Sequence, residues 1–188
     1  MNMKSFLLLP LFLSSACIAI CQENQHEHTA TATKADTLKK SIAQEEHAQI
    51  GATHITILYT APAVRGRVIW GGLVAYDQVW VTGAHKATSF EINEKFKIGK
   101  QEIPAGKYAI FTIPGKEKWT VILNKNWNQH LADEYNPKDD VIRWEAVPRA
   151  TSTLQERLNY AIVALSDTEA SLVISWEKIK VSIPLTLN

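Results

Sequence analysis

The sequence predicts an all-β protein, a single antiparallel β-sandwich or a partly open barrel. Three observations carry that prediction. Apolar Ile55, Ile57 and Tyr59 alternate with Thr56, Leu58 and Thr60 in period two, the spacing of a strand with one buried face. Strand-length segments recur at short intervals, separated by turn residues such as Ile103-Pro104-Ala105-Gly106,. Helical periodicity is nearly missing after Gly51, and many short strands joined by turns make sandwiches and barrels.

The chain begins like a secretory signal. Lys4 supplies the charge, and Ser5 to Ile20 is mostly apolar but interrupted by Pro10, which is too short and broken for a comfortable membrane span. Ala19 and Cys21 fit cleavage before Gln22, so residues 1–21 are expected to be removed and the protein exported to the periplasm or secreted. The alternative is a lipoprotein leader with Cys17 carrying the lipid and Ala16 before it. Ser14 then stands where a large aliphatic is usual. Membrane attachment follows only from that alternative.

Both cysteines lie in this leader. The mature chain therefore has no disulfide and no thiolate chemistry, and a hydrophobic core must stabilise it. Roughly 165 residues remain, enough for one domain and a tail. The net charge of +1 falls to about zero without Lys4, and no basic patch of the density that nucleic acid requires is present.

Residues 22–40 are polar and rich in Thr and Ala, the composition of a solvated spacer. Residues 41–188 form the domain. Ser41 to Gln49 is expected to be a short N-terminal helix, with Ser41 as N-cap, Gln44 at the capping-box position and Gly51 as stop. Strands follow over Ile55 to Thr60, Val64 to Trp70, Val79 to Thr82, Phe90 to Asn93 and Phe96 to Ile98. The turn at Pro104 and Gly106 leads into Tyr108 to Ile113, and Pro114 to Lys118 loops into Trp119 to Leu123. Residues 124–140 break the rhythm, with room for a helical turn over Gln129 to Tyr135. Strand pattern returns at Val141 to Val147, Leu158 to Leu165 and Leu172 to Leu185. The last segment changes parity. Leu172, Ile174 and Trp176 mark one face, and Ile179, Val181, Ile183 and Leu185 the opposite one. A straight strand would bury Glu177, Lys178 or Lys180, so a bulge or break is expected near Glu177.

No nucleophile elbow, zincin helix, phosphate-binding loop or dinucleotide fingerprint is present,. No cofactor and no metal centre are predicted. Of the six histidines, His26 and His28 lie in the spacer, His47 and His54 flank the domain's start, and His130 sits in the insert beside Trp127 and Asp133. His85 differs in its company. It follows Thr82-Gly83-Ala84 and precedes Lys86, just beyond an aromatic segment, and loops on a rigid β scaffold are where sites usually lie. Arg65 and Arg67 flank Gly66 and, on a strand, would point the same way. Two guanidiniums on one face suit a carboxylate or phosphate. Equally, they suit an exposed face paired with acidic side chains. Trp70, Tyr76 and Trp80 either stack on a ligand or fill the core.

Several blocks together resemble a known family. They are ITILYTAPAVRGRVIWGGLVAYDQVW, then TGA and AT, then IPAGKYAIFTIPGKEKWTVILNK. In this order they are similar to the bacterial domain of unknown function 2911, from about Ser41 to Pro184. The resemblance implies an exported all-β domain without an assigned activity. Arg65, Arg67, Trp70, Tyr76, Trp80, Thr82 and Gly83 match its pattern. Departures lie at Val81, where the family usually has Arg, and at His85 and Lys86, where it usually has Asn and Glu. Ala75 and Asp77 replace a usual Pro and Gly. If those family positions form a site, this chain has altered its polar chemistry.

The leading expectation is a periplasmic or surface binding module that engages a small polar ligand, a glycan or an envelope protein through the Arg65–His85 face, including Lys86. The second is a hydrolase or isomerase with His85 as acid or base, which needs a carboxylate facing His85 in a cleft. The third is a structural envelope component without a pocket, recognisable by a large exposed apolar patch.

Overall fold

The computed structural model describes residues 40–188. The expected signal peptide with cleavage before Gln22, the alternative of a lipid-bearing Cys17, and the expected spacer 22–40 except Lys40 lie outside the described residues.

Among the described residues, ten strands form two antiparallel sheets, packed as a sandwich rather than closed into a barrel. The larger sheet has the order β1-β2-β3-β6-β7-β8 and the smaller β5-β4-β10-β9. In the larger sheet, β1 is Ser41–Ile50, β2 Thr53–Pro62, β3 Thr88–Ile92, β6 Gly106–Ile113, β7 Trp119–Asn124 and β8 Asp140–Ala146. In the smaller, β4 is Phe96–Ile98, β5 Gln101–Ile103, β9 Arg149–Ala164 and β10 Glu169–Thr186.

The segment expected to be the N-terminal helix is β1. It pairs with β2 without interruption, from Ser41 opposite Pro62 to Ile50 opposite Thr53. Gly51, at φ +58°, closes the two-residue turn with Ala52, a conformation that a residue without Cβ adopts at no steric cost. Ser41 and Gln44 signal a helix locally, but that preference is worth only a fraction of a kcal/mol per residue and yields to a full ladder of hydrogen bonds. The turn instead accounts for Gly51 as the stop of β1.

Two more expected strands are absent. Val64 to Trp70 is a run of turns, because Arg65 lies at φ +50° and ends any extended run. Around it stand only the isolated bridges of Ala63 with Arg157 and Trp70 with Val74. Val79 to Thr82 contributes one bridge, between Trp80 and Thr112. The insert has hydrogen-bonded turns at residues 131–134, where a helical turn is expected, and its 3-10 turn lies further on, at Pro137–Asp139.

The break near Glu177 is present. Register shifts fall on both sides of it, between Ser175 and Glu177 and between Glu177 and Ile179, with Glu177 at φ +55°. Leu172, Ile174 and Trp176 before it and Val181, Ile183 and Leu185 after it all face one core. The bulge turns an alternation that would face both ways into one that faces inward throughout.

That core joins Ile55, Ile57 and Tyr59 of β2 and Phe90 of β3 to Tyr160 of β9 and Trp176 of β10. Four of the six tryptophans meet inside it. Trp70 lies 4.8 Å from Trp119 and 5.8 Å from Trp176, centroid to centroid, and Trp80 stacks on Trp176 at 5.6 Å. A smaller cluster lies on the outer face of the large sheet, where Ala109, Phe111 and Ile122 are covered by Val81, Ala87, Ala132 and Tyr135.

Candidate functional site

The segment that carries most of the expected site residues is built into the sandwich as structure. Thr82 is fully buried at φ +50°. Its hydroxyl donates to the Thr112 hydroxyl at 3.0 Å, and its carbonyl accepts from the Thr88 hydroxyl at 3.0 Å and the Tyr160 hydroxyl at 2.7 Å. Burial raises the pKa of Tyr160 and of Tyr59 above the ordinary tyrosine value, so both phenols stay neutral, Tyr160 donating to Thr82 and the Tyr59 hydroxyl accepting the Tyr160 backbone N–H at 3.4 Å. Trp80 donates its indole N–H to the Gly83 carbonyl at 3.1 Å. A Cβ at Gly83 would stand 2.9 Å from Thr88 Oγ1 and 3.3 Å from the Thr60 carbonyl.

The structure scatters the remaining expected residues. The Arg67 guanidinium folds back onto the carbonyls of Ala63 and Val64, which fastens its own turn. Arg65 is held through its backbone N–H, which donates to Glu156 Oε1 at 2.8 Å. The two arginines do not share a strand face. Trp70 and Trp80 pack into the core, and Tyr76 is half-buried near Lys116, 5.9 Å from its ring. His85 is exposed at φ +67°. Its Nε2 lies 3.1 Å from Ser41 Oγ, and it has no carboxylate partner among the described residues. No group of three metal-ligating side chains occurs among the described residues. Lys86 alone of the expected residues reaches a cleft.

That cleft, of about 530 Å³, lies on the outer face of the large sheet, within the size range of small-molecule sites. Its floor follows from strand register. Glu45 of β1, Leu58 of β2 and Ser89 of β3 lie side by side across three strands, so all three side chains point outward together. Leu58 remains 41% exposed, an apolar residue on a face whose β2 neighbours are Thr56 and Thr60. One wall is β1 at Ala43 and Glu45; the other is Lys86 and Ala87 with Trp127, Asn128 and Gln129. Lys107 of β6 closes the end. Its ammonium pairs with Glu91 at 3.2 Å and lies 4.4 Å from the centre of the Trp127 ring, a cation–π contact.

Gln129 is the tensest group in this wall. It is 4% exposed, its Nε2 donates to the Asn126 carbonyl at 2.5 Å, and its Oε1 has no partner. A buried acceptor without a donor costs about 1–3 kcal/mol, so the site is built at some expense to stability. Its main chain is well held, with the Ala87 N–H donating to the Gln129 carbonyl at 3.0 Å.

The wall is anchored from behind. Asp140 is nearly buried and accepts from the Tyr135 hydroxyl at 2.7 Å, Arg143 Nε at 2.7 Å and Asn124 Nδ2 at 2.8 Å. Burial and the Asp140 hydrogen bond push Tyr135 up to about 12. Asn124 also donates to the Asn136 carbonyl at 3.1 Å, and its side-chain oxygen accepts the Asn126 N–H at 2.9 Å. The loop is therefore pinned at both ends.

Sequence reasoning missed Glu45, Leu58, Lys107, Trp127 and Gln129 as cleft residues. One signal was readable, the lone apolar Leu58 on the polar parity of β2. The others come together only through register and loop packing.

Fold and cleft together define a class, an antiparallel β-sandwich with a small-molecule-sized cleft on the outer face of its larger sheet. The chain belongs to a family of proteins of unknown function, DUF2911, whose model matches residues 41–185. No curated protein and no solved structure matches it.

Proposed function

We propose that this protein is a binding module for a small polar ligand, exported from the cell and holding its ligand in the outer-face cleft. The leader-like residues 1–21 support export. One observation carries the binding reading: Trp127, Leu58, Lys86 and Gln129 line a single cleft of about 530 Å³. An apolar lining with a few fixed polar groups is the general form of a ligand site. Binding is favoured over catalysis by His85, because that ring pairs with Ser41 and lies outside the cleft lining.

The test is a thermal-shift screen of metabolites and glycans on the mature protein, repeated with Trp127→Ala and Lys86→Ala. A ligand at 100 times its Kd adds about 2.7 kcal/mol of stability. A ligand that raises Tm in the wild type and loses the effect in both variants is the expected result. Equal shifts in all three proteins, or no shift from any compound, overturn the proposal.

A further inference from the structure

We infer that the ligand of this cleft is a zwitterionic dipeptide, with its ammonium toward Glu45 and its carboxylate toward Lys86. The inference rests on the reading of the cleft as a ligand site and names its chemistry. Three features select this class together.

The first is opposite charge on opposite walls. The ionised groups in the lining are Glu45, Lys86 and Lys107. Lys107 is already matched, by Glu91 at 3.2 Å, and lies over the Trp127 ring. That leaves one carboxylate and one ammonium, so the cleft is neutral in sum and bipolar in layout. Glu45 has His47 beside it at 3.5 Å, a ring that carries charge only when protonated. Lys86 is exposed. Among the described residues it forms no ion pair, with Glu45 or with any other acid. A ligand with both charges answers both walls at once.

The second is spacing. Glu45 stands on β1 and Lys86 just before β3, with β2 between the two strands. Two strand spacings make about 10 Å. An extended dipeptide spans about 7 Å, which brings one end near each wall. A free amino acid carries both charges on one carbon and serves a single wall.

The third is the floor between the charges. Leu58 of β2, opposite Glu45 on one side and Ser89 on the other, is 41% exposed, and Trp127 in the far wall is 42% exposed. Both line the cleft and suit an apolar side chain of the peptide. The Ser89 and Thr60 hydroxyls in the same lining serve as donor or acceptor for the peptide group. A neutral sugar would leave both charges unanswered, and a simple acid or amine would leave one.

The experiment titrates the nitrogen-15-labelled mature protein by amide NMR with Ala-Leu, N-acetyl-Ala-Leu, Ala-Leu amide and free leucine. Ala-Leu is expected to shift the amides of Glu45, Leu58, Ala87 and Ser89. Removing either peptide charge is expected to weaken binding about three-fold to five-fold, as partly exposed ion pairs do. Leucine is expected to bind more weakly than Ala-Leu. Glu45→Gln is expected to abolish the penalty for acetylation and keep that for amidation, and Lys86→Gln to do the reverse. A capped peptide that binds as well as Ala-Leu, leucine that binds as tightly, or a penalty that persists in the matching variant each overturn the inference. If the peptides leave the cleft amides unmoved while another compound from the screen shifts them, the peptide assignment falls and the cleft remains a ligand site. If no compound moves them, both fall.

Discussion

Gly83 illustrates how single atoms decide this structure. The turn from Trp80 to Thr88 passes so close to its neighbours that a methyl group at Gly83 meets Thr88 Oγ1 at 2.9 Å and the Thr60 carbonyl at 3.3 Å. The backbone oxygen cannot swing aside as a flexible side chain could. Gly83→Ala is expected to destabilise the protein by about 1–3 kcal/mol, the usual cost of overpacking, and urea melts measure it directly. A change under about 0.5 kcal/mol would show that the hydroxyl network around Thr82 gives way easily. The Thr82 hydroxyl and carbonyl explain why Thr82 and Gly83 are recognisable in sequence, since they are packing residues. His85 and Lys86, just beyond Ala84, are exposed. Val81 is buried against the small outer-face cluster, so an apolar side chain suits that position.

At the scale of elements, β10 carries the clearest device. Glu177 at φ +55° lets one strand show one face to the core on both sides of a bulge. The left-handed region costs an L residue roughly 1–2 kcal/mol, which Glu177 already bears, and a β-branched side chain fits it worse still. Glu177→Val is therefore expected to lower stability, while Glu177→Gly, which relieves the strain at an offsetting entropic cost, stays near wild type or above it, as thermal unfolding of the two variants will show. Equal stability of the two would mean that β10 re-registers without the bulge. The parity switch was legible because it is a local pattern with period two. The fate of Ser41 to Gln49 was not, because its helix signal and its strand partner are read at different ranges. The signal lies within the segment, whereas the partner is β2 beyond the turn. Arg65 and Arg67 failed as a strand pair for a related reason. The positive φ of Arg65 belongs to a turn that Arg67 fastens locally and that Glu156 holds from outside the local pattern.

For the whole molecule, the buried and half-buried phenols set the alkaline limit. Tyr59, Tyr108, Tyr135 and Tyr160 all titrate above their ordinary value, chiefly because burial disfavours the phenolate, with Tyr135 raised to about 12. The folded state thus holds these protons more tightly than the unfolded chain. The contribution is complete below pH of about 10, where unfolded tyrosines titrate, and is lost as pH rises through the folded values. Stability from urea melts is expected to be level on this account up to about pH 10 and to fall between there and pH of about 12. A level profile up to pH 12 would contradict it.

The sequence alone determined the all-β class, most strand positions, the bulge at Glu177 and membership of the family, because these rest on alternation and turn chemistry within a few residues. Tertiary structure decided which aromatic residues became core and where a ligand could sit. Trp70, Trp80, Trp119 and Trp176 gather from four places in the chain, and the cleft draws on β1, β2, β3, β6 and the loop at residues 127–129. Register and packing bring such residues together across the sandwich, and neither leaves a periodic mark in any one segment.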